Sequence, residues 1–166
     1  MTNRASRQPR AAPQPAPSKQ SLRVWLRLLR TTRSIEADLR ERLRLEFNST
    51  LPRFDVMAAL DRHEPGAGMT MTGLSRHLLV SNGNATVIVD RLVDDGLVIR
   101  STPETDRRST LVRLTPLGRT QFRIMADLHE VWVAEIFARV APGDAKSLMQ
   151  LLDLVAPSSV HSGDAP

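Results

Sequence analysis

Residues 69–97 read MTMTGLSRHLLVSNGNATVIVDRLVDDGL, and this stretch decides the fold. Thr70 or Thr72 can cap a first short helix and Ser81 a second, because such side-chain oxygens accept hydrogen bonds from free backbone amides at a helix start. Gly96 is predicted to end the second helix, since glycine readily adopts the positive φ that closes a helix. Two short helices joined by a turn of about three residues are typical of a helix-turn-helix.

The second of these helices has a polar outward face near its start. Ala85, Ile88 and Leu92 are predicted to face inward, which leaves small and polar residues on the other side. A recognition helix contacts bases at this end, where asparagine can read adenine and valine can touch a thymine methyl group. The sequence predicts DNA contacts by the following residues: Ser81, Asn82, Gly83, Asn84, Thr86, Val87 and Arg91.

Two observations qualify this assignment. Ser81 and Asn82 fit a purely helix-capping role equally well. Asp90 and Asp94 are predicted on the outward side, where they would repel phosphates unless the helix axis tilts.

A β-hairpin is predicted directly after the helix-turn-helix, with strands at 97–100 and 109–114 around a sharp polar turn. Asp106 can accept hydrogen bonds from turn amides and a guanidinium, and so brace the loop. Arg107 and Arg108 would then project toward phosphates or the groove floor, as the hairpin of a winged helix does. A solvated surface turn with internally paired charges is the alternative.

Long helices flank this region. Hydrophobic periodicity predicts one over 21–47, Pro52 opens another, and Thr115 caps a third that Pro142 separates from a last helix. The fold class is therefore mainly α with a small β-hairpin wing (α+β), a winged helix-turn-helix with long N- and C-terminal dimerisation helices. After one small core is satisfied, surplus apolar surface predicts a homodimer, although packing within one subunit fits each residue equally. The candidates are Trp25, Leu29, Trp132, Ile136, Leu148 and Leu152.

The chain is expected to hold one domain at 21–156, preceded by a disordered basic arm and followed by a flexible tail. The winged helix-turn-helix occupies about 52–114, between dimerisation helices at about 21–47 and 115–156. Residues 1–20 contain four prolines and almost no large apolar side chains, so they cannot offset the entropy of ordering. The tail is predicted at 157–166.

Composition excludes several classes of protein. The arm holds 4 of the 23 basic residues, which leaves 19 against 18 acidic ones and a nearly neutral body. The absence of cysteine excludes disulfides and thiolate sites and favours a reducing cytoplasm. No apolar run approaches the ~20 residues of a membrane helix. The four histidines are scattered without metal-ligand spacing, and no nucleophile or phosphate-binding motif occurs, so we expect no metal, no cofactor and no enzyme.

One set of spacings is specific enough to name a family. The sequence resembles the DxRxxxVxLTxxG wing signature of the MarR transcriptional regulators at every fixed position: Asp106, Arg108, Val112, Leu114, Thr115 and Gly118. The order of elements from about 21 to 156 is also similar to that family. The resemblance implies an obligate homodimer joined through helices at both chain ends, bound to a pseudo-palindromic operator in double-stranded DNA. It further implies a small effector between the dimerisation and DNA-binding parts that changes the spacing of the recognition helices.

Two segments resemble one branch of this family. LPRFDVMAAL at 51–60 and VSNGNATVIVDRLV at 80–93 are similar to regulators that respond to aromatic acyl-CoA thioesters. On this reading, three arginines of the first helix could hold CoA phosphates and three apolar residues could line a slot for the acyl group. A solvated arginine face is the alternative. The residues concerned are Arg23, Arg27 and Arg30, and Trp25, Phe54 and Met57.

The sequence therefore predicts a ligand-responsive DNA-binding transcriptional regulator. We expect a repressor that a small aromatic ligand or aromatic acyl-CoA releases from its operator. The alternative is a winged-helix protein-interaction module without sequence-specific DNA binding, which the near-neutral body, Asp90 and Asp94 would suit.

Overall fold

The computed structural model describes residues 18–63, 68–102 and 110–155. Six helices and three short strands make up this part of the chain, and the predicted fold class is confirmed. The elements are α1 (Lys19–Phe47), α2 (Leu51–Arg62), β1 (Met69–Thr70), α3 (Met71–His77), α4 (Asn82–Asp94), β2 (Val98–Ser101), β3 (Leu111–Leu114), α5 (Pro116–Phe137) and α6 (Pro142–Asp153).

The strands form an antiparallel sheet in the order β1-β3-β2. Arg100 and Met69 both pair with Val112, from opposite edges of β3. The hairpin of β2 and β3 matches the predicted one, but the sequence analysis missed β1. A two-residue strand carries no alternation that could be recognised, and β1 exists because β3 offers it a free edge.

Local signals set the helix ends. Thr70 Oγ1 accepts from the Gly73 amide at 3.0 Å, which settles the choice between the two threonines in favour of Thr70. Gly96 has φ of 70° and its amide donates to the Val93 carbonyl at 2.9 Å, so it closes α4 as predicted.

Contacts divide the described chain between Ile35 and Glu36, inside α1. In the first unit, α1 begins at Lys19, earlier than the predicted start at 21, and Ser18 Oγ accepts from the Gln20 amide at 3.1 Å. No side chain from residue 18 to residue 35 is buried.

The second unit contains the core. Fully buried side chains from α1, α2, α3, α4, β2, β3 and α5 meet there, namely Leu43, Val56, Met57, Leu74, Val89, Leu92, Val98, Val112 and Met125. This packing holds α4 against the sheet and against α2, so the exposed side of α4 is presented on a rigid support.

Trp132 belongs to this core, and its assignment to a dimer surface is wrong for this chain. The side chain is 7% exposed, and its ring centroid lies 6.3 Å from that of Phe47. The Arg42 guanidinium lies 5.9 Å from the Trp132 ring and donates from Nη1 to Glu135 Oε2 at 2.6 Å. Periodicity marked Trp132 as apolar and inward on α5, but it could not tell an intramolecular neighbour from a second copy.

Asp55 on α2 gives the fold a pH dependence. Although the Asp55 side chain is exposed at the surface, desolvation by the protein atoms around its carboxyl group, and secondarily the charge of Glu36, raise the pKa of Asp55 from 3.8 to about 6. The folded state therefore holds a proton that the unfolded state releases at lower pH, and stability falls as pH rises from about 4 to about 6.

Asp55→Asn is expected to stabilise the protein at pH 7.5, because it removes a carboxylate whose charge the fold disfavours. Partial solvent contact screens the effect, so we expect about 1 kcal/mol, or roughly 2–4 °C in Tm. Thermal melts at pH 7.5 and pH 4 measure it, and the difference should vanish at pH 4. A lower Tm for the variant at pH 7.5 would contradict this explanation.

Candidate nucleic-acid interface

The turn between α3 and α4 is built around Leu79. Its φ is 54°, its amide donates to the Arg76 carbonyl at 3.2 Å, and the Val80 amide donates to the Ser75 carbonyl at 3.1 Å. This hydrogen-bond pair is a Schellman closure, with leucine where glycine is usual. Leu79 lies beyond the end of α3, and its side chain is 89% exposed.

The start of α4 is fixed by two side chains. Ser81 Oγ accepts from the Asn84 amide at 3.2 Å, so Ser81 is the N-cap. The hydroxyl of Ser75, a buried residue of α3, donates to Asn82 Oδ1. Thr86 Oγ1 donates to the Asn82 carbonyl at 2.9 Å. The bond between Ser75 and Asn82 links the two helices of the helix-turn-helix, and the other two fix the first turn of α4.

The predicted DNA-contacting residues of α4 share one exposed surface. Ala85 and Leu92 are buried and Ile88 is half-buried, as the periodicity predicted. On the opposite side lie Ser81, Asn82, Gly83, Asn84, Thr86, Val87 and Arg91, all exposed. The structure brings them together as a continuous face, while their contacts with DNA remain a prediction.

One acidic residue of α4 and another just beyond its end are paired with arginines of neighbouring elements. Asp90 Oδ1 accepts from Arg100 Nη1 on β2, and Asp95 Oδ2 accepts from Arg53 Nη2 on α2. Asp90 is therefore an ion-pair partner that joins α4 to β2, which removes one argument for an interaction module. Asp94 is exposed without an ion pair among the described residues.

The second half of the wing signature has a structural explanation. Val112 and Leu114 are buried side chains of β3, and Thr115 Oγ1 caps α5 by accepting from the Gly118 amide at 2.9 Å. Thr115 Oγ1 also donates to the Gly96 carbonyl at 2.8 Å, which ties α5 to the end of α4. A Cβ on Gly118 would lie 1.9 Å from the Leu97 carbonyl oxygen, so only glycine fits.

Several predicted residues lie outside the described ones. Asp106, Arg107 and Arg108 fall in the gap at 103–109, so the predicted brace and probing arginines stay predictions. The same holds for 1–17 of the arm and for 157–166 of the tail.

The predicted ligand residues divide between the two units. Arg23, Trp25, Arg27 and Arg30 are exposed in the first unit. Phe54 and Met57 are buried in the second, where Phe54 stacks on His129 with ring centroids 4.6 Å apart. The two apolar residues thus contribute to the core, and the ligand assignment of the set remains a prediction.

A cleft beside α4 was not predicted. Its volume is about 510 Å³, and apolar residues line it together with three arginines. Arg53 Nε is buried and has no hydrogen-bond partner among the described residues, although Arg53 Nη2 pairs with Asp95. The lining residues come from α1, α2, α4 and the residues just before α2 and α4: Arg40, Thr50, Pro52, Arg53, Val80, Asn84, Val87, Ile88 and Arg91.

Sequence reasoning missed Ser75, Arg100 and Arg53 as parts of this interface. Each of them forms a hydrogen bond with a partner that lies 7 to 42 residues away in the sequence. Hydrophobic periodicity could not reveal these bonds, because it describes only one helix or strand at a time. Only Ser75 could have been noticed in the sequence, because it is a polar residue directly after Leu74, which is buried.

Among the described residues, no group of three or more histidine, aspartate or glutamate side chains could hold a metal ion. Within the same residues, no helix combines the length and hydropathy that crossing a membrane requires.

Comparisons with known proteins agree with this arrangement. Residues 48–109 match the family model described as MarR family. The transcriptional activatory protein BadR of Rhodopseudomonas palustris is 35% identical over 95 residues, which is 57% of this chain and 49% of BadR. The chain thus spans about half the length of that relative.

Two solved structures extend the comparison over most of the chain. A MarR family transcriptional regulator from Silicibacter pomeroyi is 31% identical, with a TM-score of 0.67, over 83% of this chain and 96% of that one. Sco3205 from Streptomyces coelicolor, a MarR family regulator in complex with DNA, shares the fold with a TM-score of 0.75 at 23% identity, over 87% and 96% of the two chains.

Family and fold are those of transcriptional regulators and not of enzymes. The start of α4 is capped and exposed, the β2–β3 hairpin follows it, and the chain is 31% identical to a solved MarR family regulator over nearly all of that protein. This chain is therefore a member of the MarR family of DNA-binding transcriptional regulators.

Proposed function

We propose that this protein is a homodimeric, ligand-responsive regulator that occupies a pseudo-palindromic operator and represses transcription until an aromatic effector releases it. The observation that carries the proposal is the exposed N-terminal face of α4, held rigid by Ser75 and Ser81 and with Asp90 neutralised by Arg100. In a dimer, two such helices about 34 Å apart would enter successive major grooves.

Exposed apolar side chains on α5 and α6 support the homodimer. No residue of α6 is buried in the single chain, although the helix has an apolar side. A monomer would leave this surface in water, which a second copy would prevent. The exposed residues are Ile124, Leu128, Val131, Phe137, Leu148, Met149, Leu151 and Leu152.

The residues that line the cleft support the proposal of an effector with both an apolar part and a negatively charged group. Val80, Val87 and Ile88 offer apolar contact area, and Arg40 and Arg91 offer charge for a carboxylate or a phosphate, whereas the charge of Arg53 is paired with Asp95. A ligand there would contact Asn84, Val87 and Arg91, which belong to the face proposed for DNA. Ligand and operator would therefore compete, in addition to any shift in the spacing of the two recognition helices.

The first experiment measures DNA binding. Fluorescence anisotropy with labelled DNA from upstream of the protein's own operon should give nanomolar affinity that falls steeply with salt, because phosphate contacts release counterions. Binding that is weak at all sequences would favour an interaction module instead.

A thermal-shift screen of aromatic acids and their CoA thioesters then identifies effectors, which are tested for displacement of the bound DNA. Arg40→Ala removes a cleft charge without touching α4. We expect this variant to need about tenfold more effector to release half of the bound DNA, because it has lost one charged hydrogen bond to the effector. Its affinity for the operator should be unchanged.

Arg44→Ala is the matched control, because Arg44 lies one turn along α1, pairs with Glu41 and does not line the cleft. If Arg40→Ala and Arg44→Ala respond alike to the effector, the cleft is not its site.

The direction of regulation needs its own test, since BadR is named as an activatory protein. We expect transcription from the operator in vitro to fall when the protein is added and to recover with effector. A rise on addition of the protein would make this chain an activator.

A further inference from the structure

The hydrogen bonds of α4 separate the exposed side chains that other protein groups already hold in place from those that no such bond holds. Ser81 Oγ is used as the cap, Asn82 Oδ1 accepts from Ser75, and the Thr86 hydroxyl hydrogen is used on the Asn82 carbonyl. Gly83 has no side chain.

Asn84 and Val87 remain. No hydrogen bond of the Asn84 side chain occurs among the described residues, so its amide oxygen and nitrogen are both available. Val87 is exposed three residues further along, on the same side of the helix. Arg91 continues this stripe one turn later, and no ion pair with another described residue holds it away from a phosphate.

Asn82 and Asn84 therefore differ in what they can recognise. Reading adenine through its N6 and N7 requires one amide oxygen and one amide nitrogen at the same time. The Asn84 amide is free to turn both groups toward a base, whereas the hydrogen bond from Ser75 holds the Asn82 amide in one orientation, toward α3.

We propose that Asn84 and Val87 determine the operator sequence, with Asn84 reading an adenine and Val87 packing against a thymine methyl group in each half-site. Asn82 is a positioning residue that acts through Ser75 to orient α4. This inference rests on the proposed function, because it assumes that α4 enters the major groove.

Selection of bound sequences from a randomised DNA pool tests the assignment. The wild-type protein should select a half-site with one strongly preferred adenine near a preferred thymine. Asn84→Ala should lose that adenine preference, with discrimination at the position falling by about tenfold. Asn82→Ala should bind all sequences more weakly with the same preferences.

Modified bases separate the contacts at the level of single atoms. Replacing the preferred adenine by 7-deazaadenine, or the thymine by deoxyuridine, should weaken wild-type binding several-fold. Asn84→Ala should be insensitive to the first change and Val87→Ala to the second, because each variant already lacks the partner group.

A double-mutant cycle tests the positioning role of Asn82. Ser75→Ala and Asn82→Ala should each lower operator affinity, and the double variant should lose no more than the larger single loss, since both remove one hydrogen bond. A purely structural weakening of α4 would give additive losses.

The outcomes are distinct. If the wild-type protein selects no sequence, the proposed function fails and this assignment fails with it. If the wild-type protein selects a site but Asn84→Ala keeps the adenine preference, or Asn82→Ala loses it, only the assignment is overturned.

Discussion

Among the glycines that the structure describes, Gly118 is the one at which a change to alanine is expected to destabilise the fold most. The added Cβ would lie 1.9 Å from the Leu97 carbonyl oxygen and 2.8 Å from the Leu97 carbonyl carbon, far inside van der Waals contact. Both partners are backbone atoms, so a rotamer change cannot relieve the clash, and α5 must move away from the end of α4. That movement breaks the Thr115 hydrogen bonds to the Gly96 and Leu97 carbonyls.

We expect a loss of about 4 kcal/mol in the free energy of unfolding, or roughly 10 °C in Tm, measured by circular dichroism. Gly143→Ala is the matched control. Gly143 lies in the first turn of α6, and a Cβ there has no heavy atom within 4 Å, so the control should be neutral or raise Tm slightly. Equal Tm values for the two variants would contradict the close approach at Gly118.

Arg108→Ala is expected to remove most operator affinity while the protein stays folded and keeps the homodimeric state proposed above. The prediction rests on the wing signature, which places this arginine at the hairpin between β2 and β3, where a winged helix meets phosphates or the minor groove. Each charged contact is worth about 1.5–3 kcal/mol, and two-fold symmetry doubles the loss, so we expect affinity to fall at least about 100-fold. The slope of log affinity against log salt should also flatten by about two.

Arg139→Ala serves as the control for this variant, because it also removes one arginine, and Arg139 is exposed just beyond α5. Titrations at several salt concentrations, with light scattering to check the dimer, give the comparison. Operator affinity equal to that of wild type in Arg108→Ala would remove the wing from the DNA interface.

The helix boundaries near the interface could be predicted because their causes are local. Ser81, Gly96 and Thr115 act on backbone groups within a few residues of themselves, so their spacing in the sequence carries the information. The second half of the wing signature also follows from local geometry, since Thr115 caps the helix in which Gly118 makes its close approach.

The missed features depend on partners that are distant in sequence. Asp90 looked like an outward acid because nothing near it in the sequence indicates Arg100 on β2. Trp132 looked like dimer surface because its neighbours Phe47 and Arg42 lie on another helix. The cleft could not be predicted either, since three separate helices form it.

The ion pair between Asp90 and Arg100 has a consequence for attempts to retarget this protein. Engineers who transplant the residues of α4 from another regulator into this scaffold would replace Asp90 and leave Arg100 without its carboxylate. The graft would then tilt differently from the donor helix, and its preference for operator bases would not transfer with it. Codons 90 and 100 should therefore be exchanged together in such chimeras.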